Sequence, residues 1–598
     1  MSYNSIPEMC IKQSERLKDK IASKVKRGGK WIDILWSETN KDVHEIGYGL
    51  LSLGIKPGDA VALLSATRHE WLLCDIGIMS SGGVTVPIYP SNTAEEAEYI
   101  VNDSDSKFLI VENKAQLEKM LTVRKNMPKI ETIIVIEGPV EKKEGIMLLD
   151  ELKRQGREQA GKYEPIMRQR VESIKRDDVA TIVYTSGTTG PPKGVVQTHG
   201  NHLFMAEVGS KVLDVRQEDT GLLFLPLAHS FARWLEYLGI YIGITGAYAE
   251  SIEKFVDNMQ EVKPHTTAGV PRIFEKAYAT ILATVSEGPP IRKKVFDWAV
   301  GVGKEASKLI QAKKPLPLGL RIKRAIAHKL VFSKIQARFG GRLRFWGSGG
   351  APLAKEIAEF FHAIGIQILE GYGLTETCPA TNVNRIDNYK FGTVGLALPG
   401  VEVKLAPDGE ILARGPNIAY KGYYKRPNDT KELFTEDGWF KTGDIGEIDS
   451  EGFLKITDRK KDLIKTAGGK FVAPQNIENM LKTDTFISQA VVIGDRRPYC
   501  VALISISKED AEKYANDNKI SFSTYESLTK IPQVYERVKK TVDSTNARLA
   551  SYETVKRFAL VPRDFTQEND EITPTLKVKR KVITERYKSL IDNLYAAK

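Results

Sequence analysis

The sequence predicts an α/β protein: a large N-terminal domain of layered α/β subdomains with a small β subdomain, followed by a C-terminal α+β domain. Three observations carry this. The 598 residues exceed what one hydrophobic core organises, so two or more domains are expected. The first 140 residues alternate short apolar runs with amphipathic segments, the pattern of parallel strands joined by covering helices. From Gly392 to Glu451 the pattern changes to short strands broken by Gly, Pro, Asp and Asn turns such as Ala406-Pro-Asp-Gly409, an all-β signature. The expected organisation is residues 1–457, with the β subdomain at 392–457, then residues 458–598.

Individual elements follow from local pattern. Ala60-Val-Ala-Leu-Leu-Ser65 reads as a strand and Arg68 to Met79 as a helix; Asn92 to Val101 reads as a second helix and Lys107-Phe-Leu-Ile-Val111 as a strand. Val179-Ala-Thr-Ile-Val183 is a β-branched run that reads as a buried strand ending in a loop. Gly288-Pro-Pro290 and Lys313-Lys-Pro-Leu-Pro-Leu318 read as surface loops, and no internal repeat or low-complexity tract is present. No uninterrupted apolar run reaches the ~18–20 residues a membrane-spanning helix needs. The nearest, Trp234 to Ala249, contains Glu236.

Hydrophobic content of 42% and charged content of 27% are those of an ordinary soluble globular protein. Cys10, Cys74, Cys378 and Cys500 are scattered without C-x-x-C pairing, which indicates neither a zinc site nor a disulfide framework and points to a reducing compartment. The N-terminus lacks a charged region followed by an apolar run, so no signal peptide is expected. The reading is a cytoplasmic protein, with peripheral contact at a membrane surface left open. The net charge of +11 is uneven: Lys304 to Arg342 holds eleven Lys/Arg and one acid, Glu305. An anionic partner, either a phospholipid surface or the phosphates of coenzyme A, fits this stretch about as well as solvated helix faces do. No recognised nucleic-acid module accompanies it, so nucleic acid is not expected.

The most informative segment is Tyr184-Thr-Ser-Gly-Thr-Thr-Gly-Pro-Pro-Lys-Gly-Val195. Glycines let backbone N–H groups turn inward around an anion, the hydroxyls add donors, and Lys193 supplies a point charge. This is a polyphosphate cradle. It is not a Walker A loop, because Gly187 and Gly190 are too close and Lys193 is flanked by Pro192 and Gly194.

Further segments in order complete a resemblance. They are Phe345-Trp-Gly-Ser-Gly-Gly-Ala-Pro-Leu353, Glu370-Gly-Tyr-Gly-Leu-Thr-Glu-Thr377, Gly438-Trp-Phe-Lys-Thr-Gly-Asp444, Asp458-Arg-Lys-Lys-Asp462, Gly468-Gly-Lys-Phe-Val-Ala-Pro474 and Thr573-Pro-Thr-Leu-Lys-Val-Lys-Arg580. From about residue 30 onward the chain resembles the adenylate-forming superfamily of acyl-CoA synthetases and AMP-dependent ligases, most closely its long-chain-fatty-acid members.

The resemblance implies ATP, Mg²⁺ and coenzyme A, and a mobile C-terminal domain that swings about a hinge at Asp458 between two half-reactions. It implies that Thr185, Ser186, Gly187, Thr188, Thr189 and Lys193 hold the β/γ-phosphates, with Thr375 beside them. Glu376, aided by Thr185, is the implied Mg²⁺ ligand, since Mg²⁺ takes one or two carboxylates plus phosphate oxygens and water. Tyr372 would stack on adenine, with the Gly350–Ala351 backbone opposite and Glu370 and Gly371 in the same nucleotide segment. Asp444 would bind the ribose hydroxyls, with Arg459, and less strongly Lys461 and Lys465, reaching ribose or phosphate.

Lys577 stands where the family keeps its catalytic lysine. Thr573 fixes the register, although Leu576 replaces the usual glycine. Phe224-Leu-Pro-Leu-Ala-His-Ser-Phe-Ala-Arg233 resembles the segment beside the fatty-acid tunnel, with His229 read as positioning the carboxylate and Trp234 as core or gate. Ala232 stands where relatives often carry glutamate, which leaves Arg233 without an assigned ion pair. The Leu222–Ala249 run, rich in Gly and Ile, suits an alkyl tube, which Gly243→Leu would shorten if Gly243 faces its lumen. Aryl-acid ligation and loading of a carrier protein are the alternatives.

Overall fold

The computed structural model describes residues 2–141, 143–185, 191–573 and 578–596. The apolar runs near the N-terminus become strands covered on both faces: every residue of Ala60–Leu64, Val84–Ile88 and Phe108–Val111 is buried. They lie in a seven-stranded sheet ordered Ile146–Leu148, Thr132–Val135, Phe108–Val111, Ala60–Leu64, Val84–Ile88, Val179–Thr185, Lys193–Thr198. All neighbours are parallel except the last pair. The helix expected from Arg68 spans His69–Ser80 and is buried at every position but Glu70. The helix expected from Asn92 begins at Ala94, because Thr93 is its N-cap: Thr93 Oγ1 accepts from Glu96 N (3.2 Å) and Thr93 N donates to Glu96 Oε2 (3.0 Å).

A nine-stranded sheet forms the second layer, ordered Leu396–Ala397, Asn382–Val383, Gln367–Tyr372, Phe345–Ser348, Thr266–Gly269, Thr220–Leu223, Thr245–Tyr248, Ile21–Arg27, Lys30–Leu35. Its centre is parallel and its edges antiparallel. The hairpin near the N-terminus thus completes a sheet whose other strands come more than 180 positions later.

The turn-rich segment builds an antiparallel sheet of Glu402–Leu405, Glu410–Arg414, Phe440–Ile448 and Leu454–Arg459. Two details differ from the expectation of an all-β unit from residue 392. Leu396–Ala397 pairs into the large sheet instead, and a short helix, Pro427–Glu432, interrupts the strands, begun by a proline at its first position.

The C-terminal residues form a smaller α+β body. Ile487–Ile493 pairs antiparallel with Cys500–Ile506, which pairs parallel with Val555–Leu560. Strand side chains alternate, so Ala502 and Ile504 pack under helices Pro474–Leu481 and Pro532–Asn546, while Val491 and Leu503 join a second cluster with Ile583 and Ile591.

Candidate active site

In open parallel sheets ligands bind beyond the carboxyl ends of the strands. The predicted nucleotide residues gather at such an edge. Ser348 ends one strand and leads into Gly350, whose φ of +82° suits glycine in this turn, and then Ala351. Tyr372 ends the adjacent strand, followed by Gly373, where an added Cβ would stand 2.1 Å from Pro379 O. Glu370, paired in register with Ser348, is buried, and its Oε2 accepts from Leu353 N (3.4 Å). Burial raises its carboxyl to about 8. It therefore ties the Gly350–Ala351 turn to the neighbouring strand. Gly371 adjoins it and lines the apolar cavity described below.

Tyr372 and Asp444 meet directly: the tyrosine hydroxyl donates to Asp444 Oδ2 at 2.6 Å. Burial first, then the Asp444 carboxylate, holds the phenol well above its usual range. Asp444 sits on Phe440–Ile448, paired across the strands with Arg459, whose Nε lies 3.7 Å from Asp444 Oδ1. Lys461 and Lys465 are exposed, and Lys465 lies over the Phe471 ring (5.5 Å), away from this cluster's hydrogen bonds.

The expected phosphate loop falls between two antiparallel strands, Val179–Thr185 and Lys193–Thr198. Thr185 pairs with Lys193, its hydroxyl donating to Lys193 O (3.4 Å). Ser186, Gly187, Thr188 and Thr189, together with Lys577, lie outside the described residues. Lys193 Nζ forms an ion pair with Asp429 Oδ2 (3.0 Å) and lies 5.3 Å from the centre of the Tyr423 ring. Tyr423 OH donates to Glu376 Oε1 (2.6 Å). Buried Gln197 fastens the two loops together, donating to Thr375 O at 2.7 Å. Lys193, Thr185, Thr375 and Glu376 are thus brought together by contacts through Tyr423 and Gln197. Neither Tyr423, Gln197 nor Asp429 was legible from the sequence, since each stands in a stretch of ordinary strand or turn composition.

Asp458 is buried on the last strand of the β sheet, paired with Ile445. Its Oδ1 accepts from Arg459 N (2.6 Å) and its Oδ2 from Gln475 N (3.2 Å) at the start of helix Pro474–Leu481. Burial raises it to about 6. The C-terminal body touches the N-terminal one through Gln567 Nε2 to Ser91 O (2.9 Å), while Gly468 and Gly469 are exposed.

Beside the nucleotide edge an apolar cavity runs across one face of the large sheet. Gly371, Gly347, Ala268, Gly221, Gly246 and Ser23 line it on six successive neighbouring strands. Five inter-strand steps of about 4.8 Å make it roughly 24 Å long. Small residues in register keep it open: Gly246 faces Gly221 on one side and Ser23 on the other. Helix Ser230–Ile242 forms a wall. His229 caps that helix, its Nδ1 accepting from Phe231 N (3.1 Å), so a neutral ring carries its proton on Nε2. Trp234 both packs and lines: it is buried, its Nε1 donates to Met205 O (2.8 Å), and its ring borders the cavity.

Two expectations change here. Gly243 does not face the lumen. It is the left-handed C-cap of the helix (φ +88°), and an added Cβ would stand 2.5 Å from Leu17 Cδ1. Arg233 does have an ion-pair partner: Asp75 Oδ1 at 2.9 Å, from the His69–Ser80 helix, with both side chains fully buried. Tyr237 OH donates to the other Asp75 oxygen (2.6 Å) and Arg233 Nη1 donates to Thr181 Oγ1 (2.7 Å). Burial alone would lower the guanidinium pKa, but Asp75 and Tyr237 more than offset it. Position 232 is thus freed to be a buried alanine.

The family described as AMP-binding enzyme matches residues 11–424, and its C-terminal domain matches residues 461–598. The chain is 36% identical to the long-chain-fatty-acid–CoA ligase FadD15 of Mycobacterium bovis, over 95% of this chain and 93% of the relative. It is 33% identical to the peroxisomal long chain acyl-CoA synthetase 7 of Arabidopsis thaliana, over 95% and 82%. Among solved structures it resembles the anthranilate CoA ligase AuaEII in complex with anthranoyl-AMP, with a TM-score of 0.73 at 20% identity over 99% and 98% of the two chains. It also resembles the A domain of the carboxylic acid reductase of Segniliparus rugosus, with a TM-score of 0.74 at 19% identity over 99% and 94%. Both family domains match in order across most of its length, and this chain belongs to the AMP-binding, adenylate-forming enzyme family.

Proposed function

We propose that this protein ligates a medium- to long-chain fatty acid to coenzyme A through an acyl-adenylate, consuming ATP and releasing AMP and pyrophosphate. The observation that carries the acid is the cavity. It reaches the nucleotide edge at Gly371 and Ser348 and continues across six strands with a mainly apolar lining. A benzoate-like acid would fill only its mouth. An alkyl chain gains about 0.8 kcal/mol for each methylene buried along it.

In this reading Tyr372 stacks on adenine, with the Gly350–Ala351 backbone opposite and Glu370 holding that turn. Asp444, oriented by the Tyr372 hydroxyl, accepts from the ribose diol. Arg459, Lys461 and Lys465 are the cations available to ribose and phosphate. Lys193 exchanges Asp429 for the polyphosphate, joined by Thr185, Ser186, Gly187, Thr188, Thr189 and Thr375. Glu376 and Thr185 suit Mg²⁺, a hard ion content with one carboxylate, a hydroxyl and phosphate oxygens, and bound there it neutralises charge on the phosphates. His229 Nε2–H would orient the attacking carboxylate, and Lys577 would stabilise charge at the α-phosphate. The tail contact at Ser91, with an exposed Gly468–Gly469 loop, suits the adenylating arrangement. Rotation about Asp458 would bring that loop in for thioester formation.

Peripheral membrane association is supported by the basic stretch. Leu318, Ile322, Ile326 and Leu330 are all exposed, at 71, 54, 46 and 47%. Their spacing of four puts them on one helical face, among exposed Arg321, Lys323 and Lys329. No helix among the described residues is long and apolar enough to cross a membrane.

ATP–pyrophosphate exchange across straight-chain acids from acetate to stearate, with benzoate alongside, tests the substrate. Activity should rise with chain length and then fall. An optimum at benzoate, or a flat profile beyond butyrate, would reject the fatty-acid assignment. Cosedimentation with anionic vesicles, lost in Ile322→Asp/Ile326→Asp, tests the membrane face.

A further inference from the structure

The far end of the acyl cavity is polar. Trp36, Thr39, Ser23 and Glu236 line it there beside the aliphatic wall. Its depth is fixed by contacts. Glu236 Oε1 accepts from Tyr248 OH at 2.7 Å, and Tyr248 lies on the strand next to Ser23, the two strands furthest from Gly371 among the six. Glu236 is itself half-buried and lines this cavity.

An alkyl terminus needs no such lining, and polar groups that line an apolar cavity are costly unless paired. Among the described residues Trp36 Nε1 and Thr39 Oγ1 have no hydrogen-bond partner, although both residues are at least 97% buried. Asp75, the nearest other acid, is already matched by Arg233 and Tyr237. Burial, and then the Asp75 charge, raise Glu236 to about 7 against the hydrogen bond from Tyr248. The cluster thus offers an acceptor and an indole donor, with a hydroxyl that serves as either, and no cation. Its chemical complement is a neutral group that both donates and accepts.

We propose that the cavity ends in a subsite for a hydroxyl group at or near the ω-end of the acyl chain, donating to Glu236 and accepting from Trp36 Nε1–H or Thr39 Oγ1–H. This deepens the fatty-acid reading and rests on it. The enzyme would then act on hydroxylated as well as plain long-chain acids. A terminal carboxylate is disfavoured by its like charge beside Glu236 and Asp75.

The test is kcat/KM for adenylation over a homologous series, pairing each ω-hydroxy acid with the unsubstituted acid of equal chain length. In an apolar tube the hydroxyl is buried unpaired, and the hydroxy acid should be about 10- to 100-fold worse at every length that reaches the end. With the subsite the ratio should reach one or more at one or two adjacent lengths only. It should then fall about 10-fold in Glu236→Leu. Trp36→Phe keeps the ring and removes only the N–H, and should lower the same ratio several-fold; it gives a second reading should Glu236→Leu fold poorly. A wild-type ratio of about 0.1 or less at all lengths overturns the subsite, as does a ratio indifferent to both substitutions. Rejection of the unsubstituted acids as well would instead remove the fatty-acid reading itself.

Discussion

Filling the acyl cavity from its floor should shorten the preferred acid, and Gly246 is the place to do it. It lies mid-strand in Thr245–Tyr248, without positive φ, and an added Cβ would meet only Ala22 O at 3.9 Å. Gly246→Leu therefore directs new carbon into the lumen with little backbone strain. The position is four inter-strand steps from Gly371, roughly 19 Å along a path of about 24 Å. The leucine closes the last step and takes up its own volume, displacing on the order of four methylenes. At about 0.8 kcal/mol each this is roughly 3 kcal/mol, or about 100-fold in kcat/KM for the longest acids. Acids too short to reach the leucine should keep their rates within about twofold. The assay is ATP–pyrophosphate exchange over the straight-chain series. Equal losses at every length would mean that the strand was damaged, and no change at any length would mean that the chain runs elsewhere. Gly243→Leu is the contrast: its φ of +88° and the 2.5 Å approach to Leu17 predict lost stability without a shift in chain length.

Asp75→Asn leaves Arg233 buried beside an amide, and should cost about 3–5 kcal/mol by denaturant unfolding; a loss under about 1 kcal/mol would mean that Thr181 and Tyr237 suffice. Glu370 has a folded pKa of about 8 against an ordinary 4.5, so the stability it lends is full below its unfolded pKa and lost as pH rises through about 8. Glu370→Gln imitates the protonated form at every pH, and its stability relative to wild type should climb from about pH 5 to pH 8 and then level; a flat difference in unfolding midpoints refutes the shift. Lys577→Ala should abolish acyl-adenylate formation while sparing thioester formation from supplied acyl-adenylate, with Lys579→Ala mild; equal loss of both steps would mean a structural role. Asp458 should be tested as Asp458→Ala rather than with proline, which would also break the strand holding it. The expected outcome is slower thioester formation with adenylation largely kept, read as separate half-reaction rates.

Much of this protein was legible in one dimension wherever the determinant is local. The alternation of apolar runs announced parallel α/β layers, because a strand covered on both faces has no polar positions to interleave, and Ala60–Leu64 and Phe108–Val111 obey this. The turn residues announced the antiparallel sheet after residue 400. The order of glycines and hydroxyls in one short loop singled out Lys193, since a phosphate is met by groups a few residues apart, whereas Tyr372, Glu376 and Asp444 were singled out by the resemblance of their segments to the family's. Contacts between distant segments were not legible. Nothing in the order of residues couples Arg233 to Asp75, 158 positions earlier, and the missing glutamate at position 232 pointed the wrong way. Gly243 and Gly246 look alike in a glycine-rich run. Only the left-handed end of one helix and the register of one strand decide that the first is a cap and the second floors the cavity. Tyr423 reaches Glu376 because residues 422–424 lie along the Lys193–Thr198 edge. The carboxyl of Glu236 read as an interruption in an apolar run. The tertiary structure makes it the polar end of a long apolar cavity, because depth within a sheet is set by strand order and not by sequence order.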